Sequence, residues 1–97
     1  MEVMVEYEVV KGLESEADSV RAAFLAAVAT WEPDRLTYRV LQRGAEGNEY
    51  VHLAWIDSPS TQQRLFATDF FKTFDEGMQR ISGGTVRATP LVEWSAP

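Results

Sequence analysis

Between Tyr50 and Ile56 the chain alternates, and both of its sides are apolar: Val51, Leu53 and Trp55 on one, Tyr50, Ala54 and Ile56 on the other. A period of two is that of a strand, and a strand with no water-facing side belongs in the middle of a sheet covered on both faces. The rest of the chain must therefore supply neighbours at both edges of this strand and a layer over it.

The neighbours can be read from the same alternation. Val3, Val5, Tyr7 and Val9 alternate with Met4, Glu6 and Glu8, giving a strand with one polar side. Leu36, Tyr38, Val40 and Gln42 alternate with Thr37, Arg39, Leu41 and Arg43 as a second strand. Gly44 to Asn48 then holds the glycines and asparagine of a hairpin loop leading into Tyr50. Val86, Ala88, Val92 and Trp94 outline a fourth strand, which Pro90 confines to an edge or a bulge.

Two stretches carry the helical period instead. Ala17, Val20, Phe24, Ala27, Val28 and Trp31 recur every three or four residues among six alanines. That predicts a helix over Glu16 to Thr30, opened by Ser15 with Asp18 in a capping box and closed by Pro33. Phe66, Phe70, Phe74, Met78 and Ile81, widened by Leu65 and Phe71, form a second stripe. Ser58-Pro59 starts it, Gly83-Gly84 ends it, and Thr68 and Asp69 mark a possible break where a shorter helix can be capped.

The order β-α-β-β-α-β predicts an α+β, ferredoxin-like fold spanning residues 1–97 as a single domain: a four-stranded antiparallel sheet with two helices on one face. Strand parity is read as sending Val51, Leu53 and Trp55 toward the helices with Val3, Val5, Tyr7, Leu36, Tyr38, Val86, Ala88 and Val92. Met4, Leu41, Tyr50, His52, Ala54, Ile56 and Leu91 then share the other face with Glu6, Glu8, Arg39 and Arg87. A sizeable apolar patch is unusual on a monomer. A homodimer is expected, two sheets packed face to face as an α/β barrel with Ile56 in the seam.

Charge and composition exclude several functions. Nine basic against fifteen acidic side chains give a net charge of −6, which opposes nucleic-acid backbones and anionic membranes as partners. Without cysteine there are no disulfides, thiolate metal sites or cysteine nucleophiles. The lone histidine has no carboxylate cluster at ligand spacing, so no metal site is expected. No phosphate loop, dinucleotide fingerprint or nucleophile elbow occurs. No apolar run reaches the roughly 18 residues of a membrane span, and no basic signal region opens the chain, so a cytoplasmic protein is expected.

Three segments together suggest a family. Trp31-Glu32-Pro33-Asp34-Arg35-Leu36-Thr37-Tyr38-Arg39-Val40 resembles the approach to a second strand, Tyr50 to Ser58 the close of a third, and Ala67 to Phe74 part of a second helix. Over nearly the whole chain they resemble the antibiotic-biosynthesis monooxygenase domain of the dimeric α/β-barrel superfamily. The resemblance implies a ligand pocket between sheet and helices with Trp55 on its wall, and chemistry that needs no cofactor. Activities in that family include oxygenation of aromatic polyketides, quinol oxidation and haem degradation. The polyketide oxygenases place an asparagine four residues before the strand-three tryptophan, where this chain has Val51. The haem-degrading members place an axial histidine shortly after the Phe-Lys pair, where this chain has Asp75, which sets haem degradation aside.

Tyr7, Tyr38, Trp55, Phe66, Phe70 and Phe74 are the candidate substrate-binding residues, aromatic surface and two hydroxyls around a small apolar or aromatic ligand. His52 and Asp75 are the candidate catalytic bases, His52 because an imidazole titrates near neutrality. Parity is read as turning His52 away from Trp55, toward Glu6 or Glu8. The leading function is cofactor-independent monooxygenation of an aromatic or quinol-type substrate. A non-catalytic binding or stress-associated dimer, and a proton-transfer isomerase or lyase, stay open on the same fold.

Overall fold

A computed structural model describes residues Met1–Pro97. The strands are β1 (Glu2–Glu8), β2 (Leu36–Gln42), β3 (Glu49–Ile56) and β4 (Arg87–Leu91), and the helices are α1 (Glu14–Thr30), α2 (Pro59–Phe66) and α3 (Asp69–Ser82). The sheet order is β2-β3-β1-β4 with every neighbour antiparallel, so the doubly apolar β3 lies inside the sheet as its composition requires. This is the ferredoxin-like arrangement, with the second helix divided in two.

The division follows from local chemistry. Ser58 caps α2 by accepting from the Thr61 N–H, and Pro59 occupies the first turn. After Phe66 the chain leaves the helix, and the Thr68 hydroxyl accepts from the Phe71 N–H to begin α3. Gly83, at φ 60, closes α3 in the left-handed region. The start of α1 differs from expectation. Its N-cap is Leu13, without a side-chain cap, and Ser15 lies inside the first turn. Asp18 pairs with Arg21 in place of closing a capping box. The fourth strand also ends early, at Leu91, leaving Val92 and Trp94 exposed beyond it.

The core joins one face of the sheet to the helices. Phe24 of α1 and Phe74 of α3 stack at 3.8 Å between ring centroids, with Tyr7, Leu36, Ile56, Met78 and Ile81 buried in the same cluster. The helices themselves approach closely at Gly77, where an added Cβ would lie 2.9 Å from Val20 Cγ2.

Register corrects the parity expected for β3. Val5 lies opposite His52, Val3 opposite Ala54 and Tyr38 also opposite Ala54, while Leu36 faces Ile56. Paired residues share a face, so His52, Ala54 and Ile56 belong to the helix side with Val3, Val5, Tyr7 and Tyr38. Val51, Leu53 and Trp55 lie on the open side, paired with Glu6, Met4 and Glu2 of β1. Ile56 is accordingly a core residue at 3% exposure and no seam residue, whereas Trp55 is 39% exposed. The open face presents Met4, Leu41, Val51, Leu53, Trp55 and Leu91 among charged neighbours, of which Glu6 pairs with Arg43 and Arg87. No helix is long and apolar enough to cross a membrane.

Candidate functional site

His52 has no exposed surface, and the helix-side register sets it among aromatic rings. Its Nε2 lies 2.7 Å from the Tyr7 hydroxyl and its Nδ1 lies 2.8 Å from the Tyr38 hydroxyl. Both tyrosine rings meet the imidazole edge-on, and Phe74 stacks against it. Beyond Tyr7 stands Arg21 of α1, whose Nη1 donates to the Tyr7 oxygen at 3.2 Å. The Arg21 guanidinium also lies 3.9 Å over the Tyr50 ring and pairs with the exposed Asp18. The result is a hydrogen-bonded chain of five side chains, Asp18–Arg21–Tyr7–His52–Tyr38, running from the surface of α1 into the sheet.

Burial governs the electrostatics of this chain. Desolvation, helped by the Arg21 charge, lowers the His52 pKa from 6.5 to about 4, so the imidazole is neutral at physiological pH. Desolvation raises both tyrosines above their ordinary range, against the opposing pull of Arg21 at Tyr7 and together with the nearby Tyr7 at Tyr38. Burial, the largest single influence, would lower the Arg21 pKa, but its interactions with Tyr7, Tyr50 and Asp18 together outweigh that and raise it.

Tyr38 also lines a cavity of about 240 Å³ between the sheet and the α2–α3 corner. Val3, Val5, Ala54, Ile56, Val86 and Ala88 form its sheet side; Leu65, Phe66, Phe71, Phe74 and Met78 form its helix side. Gln62, Gln79 and Asp75 add polar groups, Asp75 from an exposed position on α3.

The structure brings Tyr38, Phe66, Phe74 and Asp75 together around this cavity. It does not bring Trp55 there: the register turns that side chain to the open face, and Ala54 and Ile56 take its place on the wall. Phe70 lines a separate cleft against Val20, Ala23 and Phe24 of α1. Tyr7 lies behind the cavity wall, linked to it through His52 and Tyr38. His52 is on the helix side and is bonded to two tyrosines, in place of the open-face position near Glu6 or Glu8. Arg21 escaped the sequence reading. Its signal was its spacing, four residues after Ala17 and three before Phe24, which places a cation inside the apolar stripe of α1. No group of three or more histidine, aspartate or glutamate side chains is gathered to hold a metal ion.

The fold is the one seen in antibiotic-biosynthesis-monooxygenase-like proteins. An assigned antibiotic biosynthesis monooxygenase from Caulobacter crescentus superimposes with a TM-score of 0.74 at 23% identity, covering 95% of this chain and 89% of that one. SnoaB, a cofactor-independent oxygenase from Streptomyces nogalater, gives 0.73 at 20% identity over 99% of this chain and 96% of its own. An assigned monooxygenase of the same kind from Bacteroides thetaiotaomicron gives 0.80 at 16% identity, covering 100% and 94% of the two chains. No protein-family model and no curated protein matches the sequence. At these identities the likeness establishes the fold.

Proposed function

We propose that the cavity binds a small, planar, largely apolar molecule and that the protein is a cofactor-independent monooxygenase acting on an aromatic or quinol-type substrate. The observation that carries this reading is the make-up of the cavity wall, flat apolar surface from Phe66, Phe71 and Phe74 with only a few polar groups, Tyr38 and Asp75 among them. Sites of this composition hold apolar ligands and orient them through those few contacts. SnoaB lends support from the same fold. Fold by itself selects no reaction, so the assignment rests on the wall.

In this chemistry the substrate supplies the electrons. Asp75, at the cavity edge, takes the proton from an acidic CH₂ flanked by aromatic rings. The carbanion reacts with dioxygen, and the peroxide that forms loses water to leave a carbonyl. One oxygen atom enters the product and the other leaves as water, so the balance needs no further reductant. The apolar wall on the sheet side keeps water from that flank of the carbanion.

We assign a second copy of the chain to the open face of the sheet. Met4, Leu53 and Trp55 would there lose the water that meets them in a single protomer.

Oxygen consumption with an anthrone in metal-free buffer tests the reaction. Uptake of one dioxygen per anthrone is expected, and Asp75→Asn should lower the rate about a hundredfold or more, the usual share of a general base. Tight binding of the anthrone with no oxygen uptake would identify a binding protein instead.

A further inference from the structure

The buried chain Arg21–Tyr7–His52–Tyr38 has a direction. A guanidinium carries donors only, and Arg21 gives one of them to the Tyr7 oxygen at 3.2 Å. Tyr7 is 4% exposed, and its hydroxyl has one other partner, Nε2 of His52 at 2.7 Å. The single Tyr7 proton therefore goes to Nε2. Were Nε2 to hold a hydrogen instead, the Tyr7 oxygen would receive from both sides and its own proton would be buried without an acceptor, which folded proteins avoid.

With Nε2 accepting, the neutral imidazole carries its one proton on Nδ1. Nδ1 then donates to the Tyr38 oxygen, 2.8 Å away. Tyr38 is left with a proton that no protein group accepts, because His52 is the one partner of its hydroxyl. That unspent donor belongs to a residue on the cavity wall.

We infer that Tyr38 selects ligands by polarity, donating to a carbonyl, enolate or phenolate oxygen of the molecule in the cavity, and that Arg21, outside the cavity, is the positioning residue that fixes this polarity through Tyr7 and His52. The inference rests on reading the cavity as a small-molecule site and names what that molecule must present. A ligand offering only donors at this point meets another donor. A substrate whose oxygen gains charge as its carbon loses a proton meets a hydrogen bond that strengthens along the reaction.

Two measurements test the inference, one with a ligand and one without. Fluorene and fluorenone are nearly equal in size and differ by a CH₂ against a C=O. Wild-type protein should bind fluorenone about three- to tenfold more tightly, the net worth of one hydrogen bond. Tyr38→Phe should keep the fluorene affinity and lose the preference. Arg21→Met should weaken the preference with Tyr38 still in place, and Arg21→Lys, which also carries only donors, should restore it. The second measurement is the heteronuclear NMR of the single histidine, which reports which ring nitrogen is protonated. Nδ1 should carry the proton in the wild type, and Arg21→Met should shift the ring toward the Nε2 form; if that variant fails to fold, Tyr7→Phe removes the same constraint. Two compounds bound with equal affinity, or a wild-type His52 protonated on Nε2, would overturn the selector role alone. If neither compound binds, the cavity reading falls and takes the selector role with it.

Discussion

The Tyr38 hydroxyl lies 2.8 Å from Nδ1 of His52, at a ring that water does not reach. That enclosure has a cost on the acid side. Burial lowers the His52 pKa from 6.5 to about 4, so between those values the unfolded chain binds a proton that the folded one refuses. A depressed folded pKa leaves full stability above the unfolded value and removes it as the pH falls toward the folded value. The gap is worth on the order of 3 kcal/mol. Urea midpoints should therefore be level above pH 6.5 and fall progressively toward pH 4. The same curve for His52→Gln should lack that portion of the fall.

The alkaline side has the opposite sign and a different pair of groups. Desolvation raises Tyr7 and Tyr38 above 10.0, so the folded protein keeps protons that the unfolded chain gives up there. Stability is complete below the unfolded value and declines as the pH rises beyond it. Tyrosinate absorbance should show these two hydroxyls ionising together with loss of circular dichroism, while Tyr38→Phe reduces the absorbance that accompanies unfolding.

Gly77 opposes two effects of known size. Alanine there gains about 1 kcal/mol of helix propensity. Its methyl group, however, would meet Val20 at 2.9 and 3.0 Å, and a valine side chain has little freedom to yield. Overpacking of this kind costs about 1–3 kcal/mol, so the clash should prevail. Gly77→Ala should lower the melting temperature, and adding Val20→Ala should recover much of the loss through the relieved contact.

On the open face, Leu53 lies opposite Met4 and Arg39. Wild-type protein should give a dimer by light scattering and Leu53→Asp a folded monomer, because an unpaired carboxylate in the proposed seam costs several kcal/mol, on the order of 3–5. Ile56→Asp, within the core, should instead prevent folding. The emission of Trp55 should move to shorter wavelength as wild-type protein associates, and Trp55→Phe should abolish that change. Trp31 and Trp94 remain as references in the variant.

The fold was legible because its elements repeat with unambiguous periods. The capping pair Ser58-Pro59, the Thr68 break and the Gly83 stop all do in the structure what their chemistry predicts. The face of β3 was not legible. Its two sides are both apolar, and the bulkier one, Val51-Leu53-Trp55, is the one left open, so hydrophobicity pointed the wrong way. A polar argument would have decided it. Alternation puts Tyr7 and Tyr38 on the helix side, buried hydroxyls need partners, and His52 is the partner both of them use. The site inherited the error: with β3 turned over, His52 moved away from the tyrosines and Trp55 toward them. Arg21 is hard to read for a related reason: it is a charged residue inside the stripe of α1, and the stripe shows itself only through its apolar members.

The break between Phe66 and Asp69 separates two kinds of constraint along the chain. Phe66, on the near side, faces the cavity and little else of the core, whereas Phe74, Met78 and Ile81, on the far side, decide whether α3 packs at all. Substitutions confined to Pro59–Ala67 can resize or reshape the chamber while the α1–α3 packing is inherited unchanged, with the buried Thr61 and Leu65 the anchors to respect. A corner made by one threonine cap thus lets the chamber change shape without disturbing the packing on which folding depends.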